Sequence, residues 1–582
     1  MNKGIRIFIA VTIAIFLLVG NFTIPNSKAS TTTTFIVGWG GTAFDTLNPF
    51  TTYTTISLWI LANVYDSLCV FSANQTQLLP DLAKSWKIYN ENGTAIIHLN
   101  PDAKWSDGLP VTSQDVNYSY YLASQSWSPA YPYVNMITSI STPDNYTVIF
   151  HYTGAIFQLV ALNNVYIVPY HIWKNVNAST YFGYNSSSTP HFVGSGPFLI
   201  TDYKANQYVK ISKNPNYFNK NRMPHIDSVI FQFFTSTANM ISALQAGQID
   251  GFGPYAEPSQ VGLIKNNTNA VLVTSPPNEY FYLSFNVYPS GHGNPTLKDI
   301  NVRLALAHAI DLTNLTKLIW HGYGIPTATV FTPTHPYADK SLKPYSYNIT
   351  LANQILDSHG YKMGPNGYRV SPNGTPLKYT IIVPSSMPEE INAANIIATN
   401  YWSKIGVQTT VQAMDTGTMS SIIWPDFNHD IDLWDWILTP ADPVTALSPF
   451  LSSQVETGMS DSGYTNLSYD SLYNQMLNAT TLQEVKNISY QLQVILYNDL
   501  PYIPLYSPEP IQAYSKKWTN ISTDYPGGPF GGYDWRPFLT VEPLSNVTQG
   551  QNNTILYIVT GIIVVIIIAA VAYIAVRGKK KK

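Results

Sequence analysis

Residues 429–443 read H-D-I-D-L-W-D-W-I-L-T-P-A-D-P, with four carboxylates and two indoles close together. Carboxylates do acid–base or cation-binding work, and indole faces stack on flat or ring-shaped groups. Alternation of residue types through Leu438 predicts a strand. Asp432, Trp434, Trp436 and Leu438 share one face of it; Ile431, Leu433, Asp435 and Ile437 share the other. Two indoles on one face stand roughly 7 Å apart, from a rise of about 3.3 Å per residue. Thr439-Pro440 and Asp442-Pro443 then end the strand, because proline gives no N–H to the ladder and restricts the residue before it. This strand and its exit loop are read as one wall of a ligand cleft. The competing reading is that both tryptophans fill a core.

A glycoside hydrolase using Asp430, Asp432, Asp435 and Asp442 is the enzymatic alternative. It needs two carboxyls straddling one bond at about 5–10 Å. Asp432 and Asp435 point to opposite strand faces and form no local pair, so the chain is read as not an enzyme. A surface-layer or adhesion protein is a further alternative, but the internal repeats and long Ser/Thr stalk it calls for are not visible. His171, His191 and His225 are scattered without metal-ligand spacing, so neither metal nor cofactor is expected.

The chain that carries these residues has 582 of them, enough for two or three domains. Charged residues make up 11% and the net charge is −3, with no basic block before the last few positions, which argues against nucleic acid. Lys3 and Arg6, the apolar run 7–19 and the small pair Ala29-Ser30 have the order of a secretory signal, read as residues 1–30. Residues 555–576 are nearly unbroken Ile, Val and Ala, long enough to cross a bilayer. Arg577 and the lysines at 579–582 follow at once, so 577–582 is read as a cytoplasmic tail, everything before the span as outside, and 545–554 as a short stalk. Sequons such as Asn74, Asn92, Asn145, Asn348 and Asn478 fit an extracellular glycoprotein. The lone cysteine, Cys69, sits in an apolar context and reads as a buried small hydrophobe.

Between the ends, helical and extended patterns mix throughout, which predicts an α/β fold. Thr112 and Asp115 start one helix, a second ends before Gly247, and Leu482–Leu496 is a long amphipathic helix followed by an extended segment at 500–506. Val302–Ile310 is a helix whose Arg303 ties it to its own lobe.

Motifs then follow one another in a telling order: P-D-L-A-K-S-W (80–86), K-W-S-D-G-L-P-V-T-S-Q-D-V (104–116), G-S-G-P-F (194–198), K-N-P-N-Y-F (213–218), A-L-Q-A-G-Q-I-D (243–250), Y-L-S-F-N (282–286) and D-I-N-V-R-L-A-L-A-H-A-I-D (299–311). The series resembles the extracytoplasmic solute-binding proteins, family 5, of ABC importers, the oligopeptide, dipeptide and nickel class, in an archaeal-type form with a C-terminal anchor. The resemblance implies a two-lobed, periplasmic-binding-protein-like fold of type II with an extra subdomain, plus the C-terminal transmembrane helix. Lobe I would comprise 31–70, 196–285 and 508–544, with 71–195 as its extra subdomain, and lobe II 286–507. Its implied partners are permease and ATPase subunits, the membrane, and a peptide or oligosaccharide ligand held between the lobes.

In peptide-binding members a wall segment resembles D-x5-W-x2-D-x2-D/E-P, whose middle acid pairs with the peptide's ammonium. Laid on this chain it reads Asp430, Trp436, Thr439 and Asp442-Pro443, so a threonine stands at the ammonium position. The same comparison places Tyr53, Thr55, Tyr131, Tyr133, Tyr255, Tyr280, Tyr282 and Trp39 on the ligand, beside Trp434 and Trp436. The set is aromatic, hydroxyl-rich and almost without charge, which opens the oligosaccharide reading alongside the peptide one.

Overall fold

The computed structural model describes residues 32–544 except 41–42, 74–76, 156, 183–191, 439–441, 458–459 and 533–535. The leader, the stalk, the 555–576 span and Thr439 lie outside the described residues. Among the described residues no helix is long and apolar enough to cross a membrane.

Two main sheets carry the architecture. The first has seven strands in the spatial order Ala270–Thr274, Ile511–Ser515, Gly251–Gly253, Thr34–Gly40, Ser228–Phe234, Tyr208–Lys213 and Phe198–Lys204. Its centre is parallel: Thr34–Gly40 runs alongside both Ser228–Phe234 and Gly251–Gly253. A parallel central strand is covered on both faces, and this one is: Phe35, Val37 and Trp39 point into one large core, while Ile36 packs against a second core built around Met240 and Phe252. The Thr237–Gln245 helix supplies Met240; Ser236 caps it by accepting from Asn239 N, and Gly247, at φ +70°, turns the chain away.

The second sheet has six strands, in the order Gly324–Pro326, Tyr502–Pro508, Glu279–Phe285, Ile431–Ile437, Lys378–Pro384 and Gln408–Met414. Glu279–Phe285 runs antiparallel to both neighbours, Ile431–Ile437 and Tyr502–Pro508. A smaller four-stranded sheet lies within Ala83–Tyr152, in the segment expected as the extra subdomain. The α/β, two-lobed fold is therefore present.

One boundary moves. Glu279–Phe285 was expected in lobe I, yet it is a central strand of the lobe II sheet. Pro276 and Pro277 end the lobe I pairing at Thr274, and the next seven residues, all buried, find partners on both edges only in the second sheet. The chain thus crosses between sheets at 275–278 and again at 509–510. Arg303 is buried and donates to the carbonyls of Leu297, Asp499 and Leu500 at 2.6, 2.6 and 2.8 Å, tying its helix to the end of Leu482–Asp499 within lobe II.

Candidate functional site

Register across the central pair decides which side chains meet. Tyr280 lies opposite Trp436, Tyr282 opposite Trp434 and Ser284 opposite Asp432, so these six share a face. Glu279, Phe281, Asp435 and Ile437 share the other.

The first face is mostly closed. Tyr280 and Tyr282 are buried; Tyr282 stacks on Tyr502 at 4.1 Å and donates to Asp461 at 2.7 Å, and Tyr502 also donates to Asp461. Trp434 is half-buried against Trp424, 6.1 Å away, and Trp436 is half-buried with its indole N–H finding no acceptor among the described residues. Deeper in, the His429 Nε2 stands 3.3 Å from Asp432, off line for a hydrogen bond. Burial holds His429 down to about 4 and pushes Asp432 up to about 8; burial, with Asp432 nearby, pushes Asp461 up to about 7.

The second face opens. Where the sheets approach beside the crossing segments lies a cavity of about 130 Å³, lined by Trp39, Thr55 and Tyr255 from lobe I, Asn278 and Pro510 from the crossings, and Glu279 and Ile437 from the lobe II sheet. Glycines 527 and 531 of the Y-P-G-G-P-F-G-G loop close one side. Gln512 positions that loop: its amide donates to the Gly527 and Pro254 carbonyls, and its oxygen accepts from Phe530 N at 3.1 Å. Gly532 shows why the loop is glycine-rich. At φ +89°, a Cβ there would stand 2.5 Å from the Thr55 methyl and 3.1 Å from the Trp39 ring.

Glu279 is 6% exposed, and burial, with Asp435 beside it, raises its carboxyl well above the ordinary range. Asp435 is raised as well, chiefly by burial, so the two acids titrate as a pair and favour retaining a proton between them. Tyr255 donates to Glu279, and that carboxyl, with burial, keeps the phenol neutral. Glu257 is pushed up to about 7 by burial and Glu389, and Glu390 to about 8 by burial and its acidic neighbours.

The expected ligand residues thus divide. Trp39, Thr55 and Tyr255 meet at the cavity. Tyr133 lines a second cavity of about 210 Å³, on the seam between lobe I and the extra subdomain, near the Arg222–Asp81 pair at 2.6 Å. Tyr53 is 76% exposed and Tyr131 is exposed on a short helix. Tyr280 and Tyr282 have core surroundings instead of a cleft. Asp442 is buried and caps the Pro443–Leu447 helix, accepting from Val444 N at 2.8 Å and the Thr445 hydroxyl at 2.5 Å. Cys69 is buried and its thiol is pushed up by burial.

A wall almost without charge was expected, and there the structure differs. Glu279 carries no signal of its own in the sequence, being a single acid at the head of an apolar strand. The available signal was the proline pair before it, which ends one sheet and starts another.

Comparison with known proteins agrees with this architecture. The oligopeptide-binding protein AppA of Bacillus subtilis is 25% identical over 440 residues, covering 73% of this chain and 78% of its own. Heme-binding protein A of Haemophilus influenzae is 24% identical over 470 residues, covering 76% and 81%. The crystal structure of NikZ from Campylobacter jejuni in complex with Ni(L-His) superposes with a TM-score of 0.74 at 25% identity, over 88% of this chain and 99% of that one. The profile of the bacterial extracellular solute-binding proteins, family 5, matches residues 77–458, so the chain belongs to that family, the extracytoplasmic binding components of ABC importers.

Proposed function

We propose that this chain captures a peptide between its lobes and hands it to an ABC permease driven by its ATPase. One observation carries the reading: a cavity beside both crossing segments, walled by Trp39 and Tyr255 from one lobe and by Glu279 and Ile437 from the other. Ligand bound there touches both halves, so binding energy favours the closed arrangement that a permease distinguishes from the open one. Trp436, half-buried one residue before Ile437 on the strand's other face, meets the ligand in this reading only where the ligand reaches past the strand's end. The apolar span at 555–576 is read as the tether that keeps the binding lobes near the pore.

An oligosaccharide is the second reading, supported by the aromatic residues Trp39 and Tyr255 at the cavity. Isothermal titration of the full chain, with small-angle scattering to follow closure, separates the two. Short peptides are expected to bind and to shrink the radius of gyration, while malto- and cello-oligosaccharides do neither. Binding of the sugars alone would replace the peptide reading with the carbohydrate one.

A further inference from the structure

One carboxyl group, Glu279, lines the cavity, and four more lie within electrostatic reach of it or of one another. Glu257 follows the Gly251–Gly253 strand, Glu279 opens the Glu279–Phe285 strand, Glu389 and Glu390 sit in the first turn of the Pro388–Ile396 helix, and Asp435 lies on Ile431–Ile437. Glu257 feels Glu389; Glu390 feels Glu257, Asp435 and Glu389; Glu279 feels Asp435 and Glu390. Tyr255 and Tyr506 bring phenols to Glu279 and Glu390, and His321 acts on Glu389.

Glu257 belongs to one lobe, and Glu389 and Glu390 to the other. Closure therefore brings like charges together while removing their water, which opposes closing of an empty cleft unless protons are taken up. Glu279 lines the cavity itself, nine-tenths buried, between the Tyr255 and Trp39 walls.

We propose that the cavity receives a positively charged nitrogen of the ligand, an ammonium or a guanidinium, seated against Glu279 with Asp435 behind it and the Trp39 and Tyr255 rings alongside. The inference rests on the cavity being the ligand site. Thr439 provides no acid where the resemblance places an ammonium's partner; Glu279 and Asp435 provide two on the opposite strand face. Ring faces next to a desolvated cation add attraction of their own. A cation also answers the repulsion between lobes, which makes its arrival the condition for closing.

The chemistry predicts a proton signature. Burial and mutual repulsion favour a proton on the Glu279–Asp435 pair in the empty site; a bound cation favours the ionised form, so a proton leaves as the ligand enters. Affinity then weakens as pH falls, since re-protonation competes with the cation.

Isothermal titration of the full chain with three probes tests this: free-amine trialanine, N-acetyl-Ala-Arg-Ala-amide, and N-acetyl-trialanine-amide. At least one cationic peptide is expected to bind at least about tenfold more tightly than the neutral one. Its binding heat should depend on the buffer's ionisation enthalpy through proton release, and Glu279→Gln should erase the preference. Asp435→Asn serves the same purpose if the first variant does not fold. The first probe reports an α-ammonium, the second a side-chain guanidinium. Neutral peptide binding as tightly, or a preference that survives both variants, overturns the charge inference and leaves a peptide site standing. Should none of the three bind, the peptide reading fails and arginine methyl ester becomes the probe. Its binding, lost in Glu279→Gln, supports the charge inference, and its failure to bind overturns it.

Discussion

The two faces of the Ile431–Ile437 strand make an instructive pair. Both carry buried acids raised above their ordinary range: Asp432 on one, Asp435 on the other. Burial is the main cause in each case. Asp432, however, sits with His429 inside lobe II, sealed by Tyr282, Tyr502 and the Asp461 they share. Asp435 lies behind Glu279, and Glu279 lines an interlobe cavity. A perturbed acid thus marks a function only where a ligand reaches it, and the same shift on the sealed face describes a structural network.

Breaking the sealed face has the largest expected effect. Asp461→Ala leaves two buried tyrosine hydroxyls without their acceptor, a loss of about 3–5 kcal/mol, the scale for a buried charge-assisted network losing one member. Urea denaturation measures it. Ligand affinity per folded molecule should be unchanged, whereas a parallel loss of affinity would mean the two faces are one site.

The acids also set how stability depends on pH, and the signs oppose. Asp432, near 8 in the fold against 3.8 when unfolded, and Asp461, near 7, retain protons that the unfolded chain has lost. Their contribution is complete below pH 3.8 and declines as pH rises through 7 to 8. His429, lowered from 6.5 to about 4, works the other way, costing stability below 6.5. Above pH 6.5 only the acid terms of this network still change, so stability should fall from about pH 6.5 to about pH 8. Glu257 and Glu390, near 7 and 8, add to the same slope from the cavity side. Asp432→Asn should flatten the urea midpoint against pH. An unaltered slope would assign it to Asp461 and the cavity-side acids.

At the open face, Tyr255→Phe removes one hydroxyl from Glu279 and leaves the ring. About 1 kcal/mol of binding, roughly fivefold, is expected. Stability should fall by no more than about 1 kcal/mol, the scale of one lost hydrogen bond. A loss confined to cationic ligands would sharpen the assignment of Glu279, and an equal loss for neutral ones would make Tyr255 a general contact.

How much of this was legible beforehand follows from the range of the interactions. The 431–437 alternation, the helix ending before Gly247 and the one beginning after Thr481 are local patterns, and they stand in the structure where periodicity and capping residues place them. Which sheet Glu279–Phe285 joins depends on strands some 150 and 220 residues downstream, and long-range pairing leaves no local mark. Three of the cavity's members, Trp39, Thr55 and Tyr255, were visible by resemblance. Its acid was not, since an isolated glutamate acquires meaning only once Asp435 stands diagonally across a shared register.

Trp434→Phe carries the smallest expected effect and tests the division of faces directly. Its indole touches Trp424 and the cluster of Ile382, Met419 and Ile423, all within lobe II. A phenyl ring keeps most of that contact at a cost of about 1 kcal/mol, as volume-reducing aromatic swaps in a half-buried site do. Ligand affinity should change less than about threefold. Trp436 differs by position, half-buried at the strand's end beside Ile437, so Trp436→Ala should weaken binding where Trp434→Phe does not. If Trp434→Phe weakened binding as strongly, the ligand would run along the tryptophan face, and the boundary between sealed and open would have to be drawn through the strand's length instead of between its two sides.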